Sequence, residues 1–475
     1  MKRSEFIKNT SLAGAGMLLQ KFSFAAVSDE FPVVRIPLNQ RKFNSPSVEA
    51  AIIEFKKNIS NKEIAWLFEN CFPNTLDTTV DFEIKNGKPD TYVITGDIDA
   101  MWLRDSTAQV WPYLQFLKQD KKLQELIAGV IHRQTFCILK DPYANAFYKD
   151  ENKISEWKES DITKMLPGIH ERKWEIDSLC YPVRLAHQYW KLSGDATPFS
   201  EDWKESIRLT LKTFKEQQRK ESKGPYTFQR KTSWATDGVP LAGYGYPVKP
   251  VGLICSVFRP SDDATIFPFL IPSNLFAVVS LNQAAEMVSK ISGDASLAQE
   301  CSQLAGEVKK ALQQYALATH EQFGKVYAFE VNGFGSYNLM DDANVPSLLS
   351  LPYLNAINKN DPVYQNTRKL LLSSYNPFFF KGKAAEGIGS PHTGMNMIWP
   401  IGIIIRGLTS SGEAEKKQCV TSLMATHGNT GFMHESFHKD DPKNFTRKWF
   451  AWANTLFGEF VFELYTKNRS VLASV

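Results

Sequence analysis

Four segments of the chain gather carboxylates, aromatics and turn residues in combinations that a packed core does not need. Residues 95–106 carry Asp97, Asp99 and Asp105 together with Trp102 and Arg104, just ahead of a helix predicted over 106–117. Arg104 beside Asp105 suits a planar, bidentate grip on vicinal hydroxyls, while Asp105 alone would serve as a helix cap. Arg259-Pro260-Ser261-Asp262-Asp263-Ala264 sets two adjacent carboxyls between apolar runs, where desolvation is costly unless they are paired. Their proximity predicts a raised proton affinity for one of them, the state a general acid needs near neutrality. Capping by Ser261 with two first-turn charges is the structural alternative. Residues 428–438 hold His434, Glu435 and His438 behind two glycines. Read as a loop, they offer Glu435 as a carboxylate able to activate water. Residues 447–454 open the last helix with Trp449, Trp452 and Asn454, an arrangement that suits a sugar platform and core packing about equally. Smaller candidates are Glu175 and Asp177 after Trp174, Arg230 with Asp237, and His392 between Gly389 and Gly394.

Several other chemistries find no support. His434-Glu435-Ser436-Phe437-His438 spells the H-E-x-x-H zinc pattern, but that motif needs a helix to turn both imidazoles toward one metal. Gly428 and Gly431 precede it, Lys439-Asp440-Asp441-Pro442 follows at once, and the usual downstream third ligand is missing, so no metal is expected. The Asp262-Asp263 pair lacks the third aspartate of a magnesium-binding terpene cyclase motif. A nucleophile elbow, a Walker loop and a dinucleotide fingerprint are absent, and no cofactor is implied.

Elements that could position these groups are mostly helical, because apolar residues recur at the helical period over most of the chain. Ile176, Leu179, Val183, Ala186 and Trp190 share one face of a helix predicted over 175–191. A second helix is predicted over 274–291, between Pro272 and Gly293. Lys191-Leu192-Ser193-Gly194-Asp195 and Lys290-Ile291-Ser292-Gly293-Asp294 read as one repeated helical-hairpin turn, with a weaker echo at Ser410-Ser411-Gly412-Glu413. In each, Gly suits the left-handed residue after a helix, and the acid suits the start of the next. About a dozen helices in such hairpins predict an all-α (α/α)6 toroid, with chemistry on long loops at one end. Short strand-like runs such as 325–330 fit hairpins within those loops.

Bulk properties narrow the function further. The 475 residues are 43% hydrophobic and 22% charged, an ordinary globular composition. The formal charge of +4 includes Lys2, Arg3, Lys8 and Lys21 against Glu5, so residues 26–475 carry only +1. Such a balance gives no electrostatic footprint for nucleic acid. Basic residues before a short apolar run over 11–19, then Ser23-Phe24-Ala25, predict an export signal over 1–25 and a periplasmic or secreted product. Residues 26–475 then form a single catalytic domain with no membrane segment in the mature form. The six cysteines are widely spaced, which disfavours a metal cluster and predicts buried free thiols.

Taken together, the chain resembles glycoside hydrolase family 125, the exo-acting α-1,6-mannosidases. The resemblance rests on Met101-Trp102-Leu103-Arg104-Asp105-Ser106, Trp174-Glu175-Ile176-Asp177-Ser178-Leu179, Arg259-Pro260-Ser261-Asp262-Asp263-Ala264, Ile388-Gly389-Ser390-Pro391-His392-Thr393 and His434-Glu435-Ser436-Phe437. These strings run in order over nearly the whole mature chain. The resemblance implies an (α/α)6 toroid and an inverting reaction that releases mannose from non-reducing ends. It places the general acid in the Ser-Asp-Asp segment, Asp262 first and Asp263 second, and makes Glu435 the base. Substrate contacts are expected from Trp102, Arg104, Asp105, Glu175, Asp177, His392, His434, Trp449 and Asn454. The implied partner is a mannose-containing oligosaccharide or glycan, with no protein partner. The competing expectations are another toroid α-glycosidase, for example on α-glucosides, and a catalytically inactive glycan-binding protein.

Overall fold

Five largely buried helices form the centre of the molecule: Leu103–Val110, Ile176–Ser193, Ile271–Met287, Pro400–Leu408 and Ala451–Lys467. Their neighbours follow chain order, and Ala451–Lys467 packs back on Leu103–Val110. Burial on nearly every face explains why Ile271–Met287 and Ala451–Lys467 are apolar all round instead of striped. Between Ile271–Met287 and Pro400–Leu408 the chain makes successive turns over 347–356, tied by backbone bonds such as Leu354 N–H to Ser350 O. The Asp341 carboxylate accepts the Leu348 and Leu349 N–H groups at 2.8 and 3.0 Å and so caps those turns. Striped helices lie outside this group. Lys121–Lys140, Glu201–Gln217 and Ala295–Tyr315 pack in succession, and Glu413–Thr426 pairs with Pro400–Leu408.

The computed structural model describes residues 31–475, of which Val34–Val475 form one compact unit. The export signal read over 1–25 lies outside the described residues. Among the described residues no helix is long and apolar enough to cross a membrane. All six cysteines are buried and free.

Two of the three hairpin turns form as their sequence predicts. Gly194 and Gly293 adopt φ of 72° and 66° after their helices, and the Asp294 carboxylate caps the Leu297 N–H at 3.0 Å. Gly412 differs: at φ −95° it is extended and precedes Glu413–Thr426 as its N-cap. The chain is also not all-α. Among the described residues, seven small sheets of two or three strands punctuate the loops, and every pairing is antiparallel. Helical periodicity carries no signal for two-residue strands, which are set by tertiary contacts.

These short strands have a positional logic. Met101–Trp102, Phe269–Leu270 and Met397–Ile398 each lie just before a central helix, and Phe450 bridges Gly96 just before another. Trp102, Glu175, Leu270, Trp399 and Phe450 are all extended N-cap residues without a side-chain cap bond. The N-terminal ends of the central helices therefore meet the loops that carry the candidate carboxylates, where helix dipoles favour negative charge.

Candidate active site

The Asp262 carboxyl is reached from the first turn of one helix and from one loop. Its Oδ1 lies 3.6 Å from Arg104 Nη2 and 3.5 Å from Asn145 Nδ2. The Arg104 guanidinium is buried, and its Nη1 donates to Glu175 at 2.5 Å and to Asp177 at 3.0 Å. Glu175 accepts a further bond from Ser178 Oγ at 2.9 Å. Glu175 and Asp177 are fully buried, so they orient Arg104 instead of offering the sugar contacts that the sequence suggested. Burial holds the Glu175 carboxyl well above its ordinary range, Arg104 opposing and Asp262 adding to the rise.

Asp262 and Asp263 face different partners. The Asp262 side chain is 22% exposed, whereas Asp263 is fully buried with His392 Nδ1 at 3.8 Å. Asp263 also has Asp342, from a distant loop, and Arg259 as charged neighbours. Asp342 accepts the Ser261 hydroxyl at 2.6 Å. Burial pushes its carboxyl up to about 6, with Arg259 opposing and Asp263 contributing.

Glu435 stands at the start of the strand Ser436–His438, which pairs with Asp441–Thr446. Thr446 Oγ1 donates to its Oε2 at 3.0 Å, and Arg447 Nη1 lies 3.6 Å from its Oε1. Arg447 also grips Asp97 Oδ1 through Nε at 2.8 Å and Nη2 at 2.5 Å. Asp105 falls between the two arginines. It lies 3.6 Å from Arg104 Nε, accepts the Thr95 hydroxyl at 2.8 Å and feels the Arg447 charge. Its expected capping place is not formed, because the helix begins at Leu103 with Trp102 as N-cap.

Other expected contacts resolve differently. The His434 ring is buried and stacks on Phe445 with centroids 3.7 Å apart, so it anchors the loop and does not face a sugar. With His438 ending a strand, the H-E-x-x-H string is extended and its helical zinc geometry is not formed. Asn454 is buried too: its Oδ1 accepts the Met433 N–H at 2.8 Å and its Nδ2 donates to Phe450 O at 3.0 Å. Both bonds fix the backbone, at the helix start and before Glu435. Trp452 is core, and Trp449 is half-buried with its indole N–H on Asn74 Oδ1 at 3.2 Å, so the two form no common platform. Trp102 packs edge-on against His170, centroids 5.1 Å apart, and its indole N–H has no hydrogen-bond partner.

Five residues that matter here were not singled out from sequence: Asn145, Glu171, Lys173, Asp342 and Arg447. Asp341-Asp342 is a second adjacent-aspartate pair, open to the same reasoning as Asp262-Asp263. Arg447 opened a segment noted for its tryptophans, and Lys173 directly precedes Trp174. Arg230 and Asp237, noted as a minor pair, lie 3.8 Å apart, and Arg230 also binds Asp161 and Glu171.

A helix-rich fold in which the buried Arg104 and the half-buried Arg447 each reach a separate carboxyl fits the class of glycoside hydrolases. The family described as metal-independent alpha-mannosidase (GH125) matches residues 61–462, and the chain belongs to it. A solved structure of a Streptococcus pneumoniae metal-independent α-mannosidase, in a non-productive substrate complex with α-1,6-mannobiose, is 43% identical. It covers 89% of this chain and 98% of its own, with a TM-score of 0.84. The meiotically up-regulated gene 157 protein of Schizosaccharomyces pombe is 40% identical over 458 residues, 93% of this chain and 90% of that one. A bacterial glucoamylase complexed with acarbose, 10% identical with a TM-score of 0.52 over 89% of this chain and 59% of its own, shares the fold alone.

Proposed function

We propose that this chain is an inverting exo-α-1,6-mannosidase in which Asp262 is the proton donor and Glu435 the base. One observation carries the roles: each carboxyl is served by its own arginine, with Asp105 between Arg104 and Arg447. Two carboxyls separated by an Arg–Asp–Arg string favour the wider spacing of inverting enzymes, roughly 6.5–9.5 Å, over the 5–5.5 Å of retaining ones. Burial excludes Asp263 from substrate and so favours Asp262 as donor. Burial holds the neighbouring Glu175 carboxyl above its ordinary range, with Asp262 adding to the rise.

In this scheme the Asp262 proton passes to the glycosidic oxygen as its bond to C1 breaks. Water attacks C1 from the opposite face and gives its proton to Glu435, whose Oε2 is oriented by Thr446. The products are β-mannose and a free 6-hydroxyl, leaving Asp262 as carboxylate and Glu435 protonated until solvent restores both. The α-1,6 linkage is supported by the sugar bound in the Streptococcus pneumoniae relative. The order of helix packing supports closure of the six hairpins into an (α/α)6 ring, with the turns over 347–356 in one inner place. The signal read over 1–25 supports export to the periplasm or beyond.

Proton NMR of α-1,6-mannobiose hydrolysis is the test. β-Mannose should appear first and mutarotate later. Early α-mannose, or a trapped covalent glycosyl-enzyme, would overturn the roles of Asp262 and Glu435 together.

A further inference from the structure

We propose that Lys173 is a positioning residue for the proton donor, holding the main chain of Asp262 in a left-handed conformation; this rests on the reading of Asp262 as the acid. Asp262 has a φ of 70°, a region that non-glycine residues rarely adopt and that persists only where surroundings enforce it. The Lys173 ammonium is buried and donates to Asp262 O at 2.9 Å. Its other partners are Asp237 Oδ1 at 3.1 Å and Glu171 Oε1 at 3.4 Å. Three acceptors from three loops match the three protons of an ammonium. Arg230 already serves Glu171 and Asp237, so charge balance alone does not call for a second cation there. The bond to the Asp262 carbonyl is the one that Lys173 alone supplies.

The turn is closed on its other side by backbone. Asp262 N–H donates to Arg259 O at 2.9 Å, Arg259 N–H to Asp263 O at 2.8 Å, and Ala264 N–H to Thr236 O at 2.7 Å. Asn145 joins the lysine to the carboxyl: its Oδ1 accepts the Lys173 N–H at 3.0 Å, and its Nδ2 faces Asp262 Oδ1. Lys173 therefore holds the main chain of the donor, while Arg104 and Asn145 hold its side chain. A proton donor must sit within hydrogen-bond reach of the leaving oxygen, and a displacement of about 1 Å can cost 10²-fold.

The test compares a leaving group that needs a proton with one that does not. Wild type, Asp262→Asn, Lys173→Met and Lys173→Arg are assayed on α-1,6-mannobiose and on α-mannosyl fluoride. Asp262→Asn should lose at least ~10²-fold more on the mannobiose than on the fluoride, as expected for a missing general acid. Lys173→Met should lower kcat on the mannobiose roughly 10–100-fold with KM little changed, and change fluoride hydrolysis less than about threefold. Lys173→Arg keeps the charge but misplaces the donor, and should show the same selectivity at roughly 5–20-fold, carrying the test if Lys173→Met does not fold. Equal losses on both substrates, or no loss, for a folded Lys173 variant would overturn the role of Lys173 while the Asp262 variant still discriminates. An Asp262→Asn variant that does not discriminate would overturn the acid assignment itself, and the inference with it.

Discussion

Single side chains decide the chemistry, and Glu435 is the sharpest case. Thr446 and Arg447 both reach its carboxyl and aim it. Glu435→Gln should keep the urea midpoint of wild type and lower kcat on an α-mannoside about 10²–10⁴-fold, the range for removing a general base. Near wild-type turnover would take Glu435 out of the site. At this scale the sequence revealed which residues belong to the site but not what they touch. Asp262, Arg104 and Asp105 were legible because charge in an apolar stretch must find a partner. Asn454 and His434 looked like substrate contacts because their types suit sugars, yet both are consumed by the backbone and ring stacking behind Glu435. Only the fold reveals which polar atoms are already spent.

Elements are held by contacts between groups far apart in sequence, and two of these are open to test. Gly96 has a φ of 124°, and a Cβ there would stand 2.6 Å from Trp449 O. Gly96→Ala should destabilise the protein by about 1–3 kcal/mol in chemical unfolding. It should also reduce activity, since Asp97 and Arg447 flank that seam. A variant matching wild type in both would mean that the seam is not under strain. Midway along two central helices, Arg184 lies over Trp111 and Tyr353, and Tyr353 O–H donates to Glu459 at 3.0 Å. Burial pushes the Glu459 carboxyl up to about 7, with Arg184 opposing. A raised carboxyl favours the fold below its ordinary value of 4.5, and that advantage is lost as pH rises through about 7. Glu459→Gln should flatten the stability profile between those values, a change on the order of 1–2 kcal/mol for a side chain that keeps some solvent. An unaltered pH slope would exclude Glu459 as its source. Helices and hairpin turns could be read from periodicity and glycine, as at Gly194 and Gly293. Gly412 misled because glycine serves both helix ends, and sequence does not say which end is near.

Viewed whole, the molecule has no need of a bound ion to bring its carboxyls into play, because Arg104 and Arg447 supply the fixed positive charge. Activity should survive dialysis against a chelator, and added zinc should not raise it. Loss on chelation with recovery on zinc would show instead that His434 and His438 rearrange to hold a metal. The overall architecture was readable as hairpins of helices around a centre, since apolar stripes and all-apolar segments specify who is outside and who is inside. The strand-like run over 325–330 was also legible, since Gly324–Tyr327 pairs with Leu317–His320, but two-residue strands were not, because they exist only through partners such as Ala146 for Trp102.

The seam at Gly96 also has a bearing on how the protein is made. Asp97 and Arg447 are separated by 350 positions, and Gly96 bridges Phe450. Chains emerge from the ribosome at about 5–20 residues per second, and pairings of such separation come last. The groups around Asp262 and Lys173, including Arg104, Asn145, Glu171 and Asp237, all precede Glu435 in the chain and are synthesised before it. Glu435 cannot be seated until Arg447 and the Ala451–Lys467 helix reach Asp97 and Leu103–Val110. A nascent or truncated chain thus holds a proton donor without a water activator. Turnover begins only when the final segment docks, making catalytic onset a direct report of completed folding.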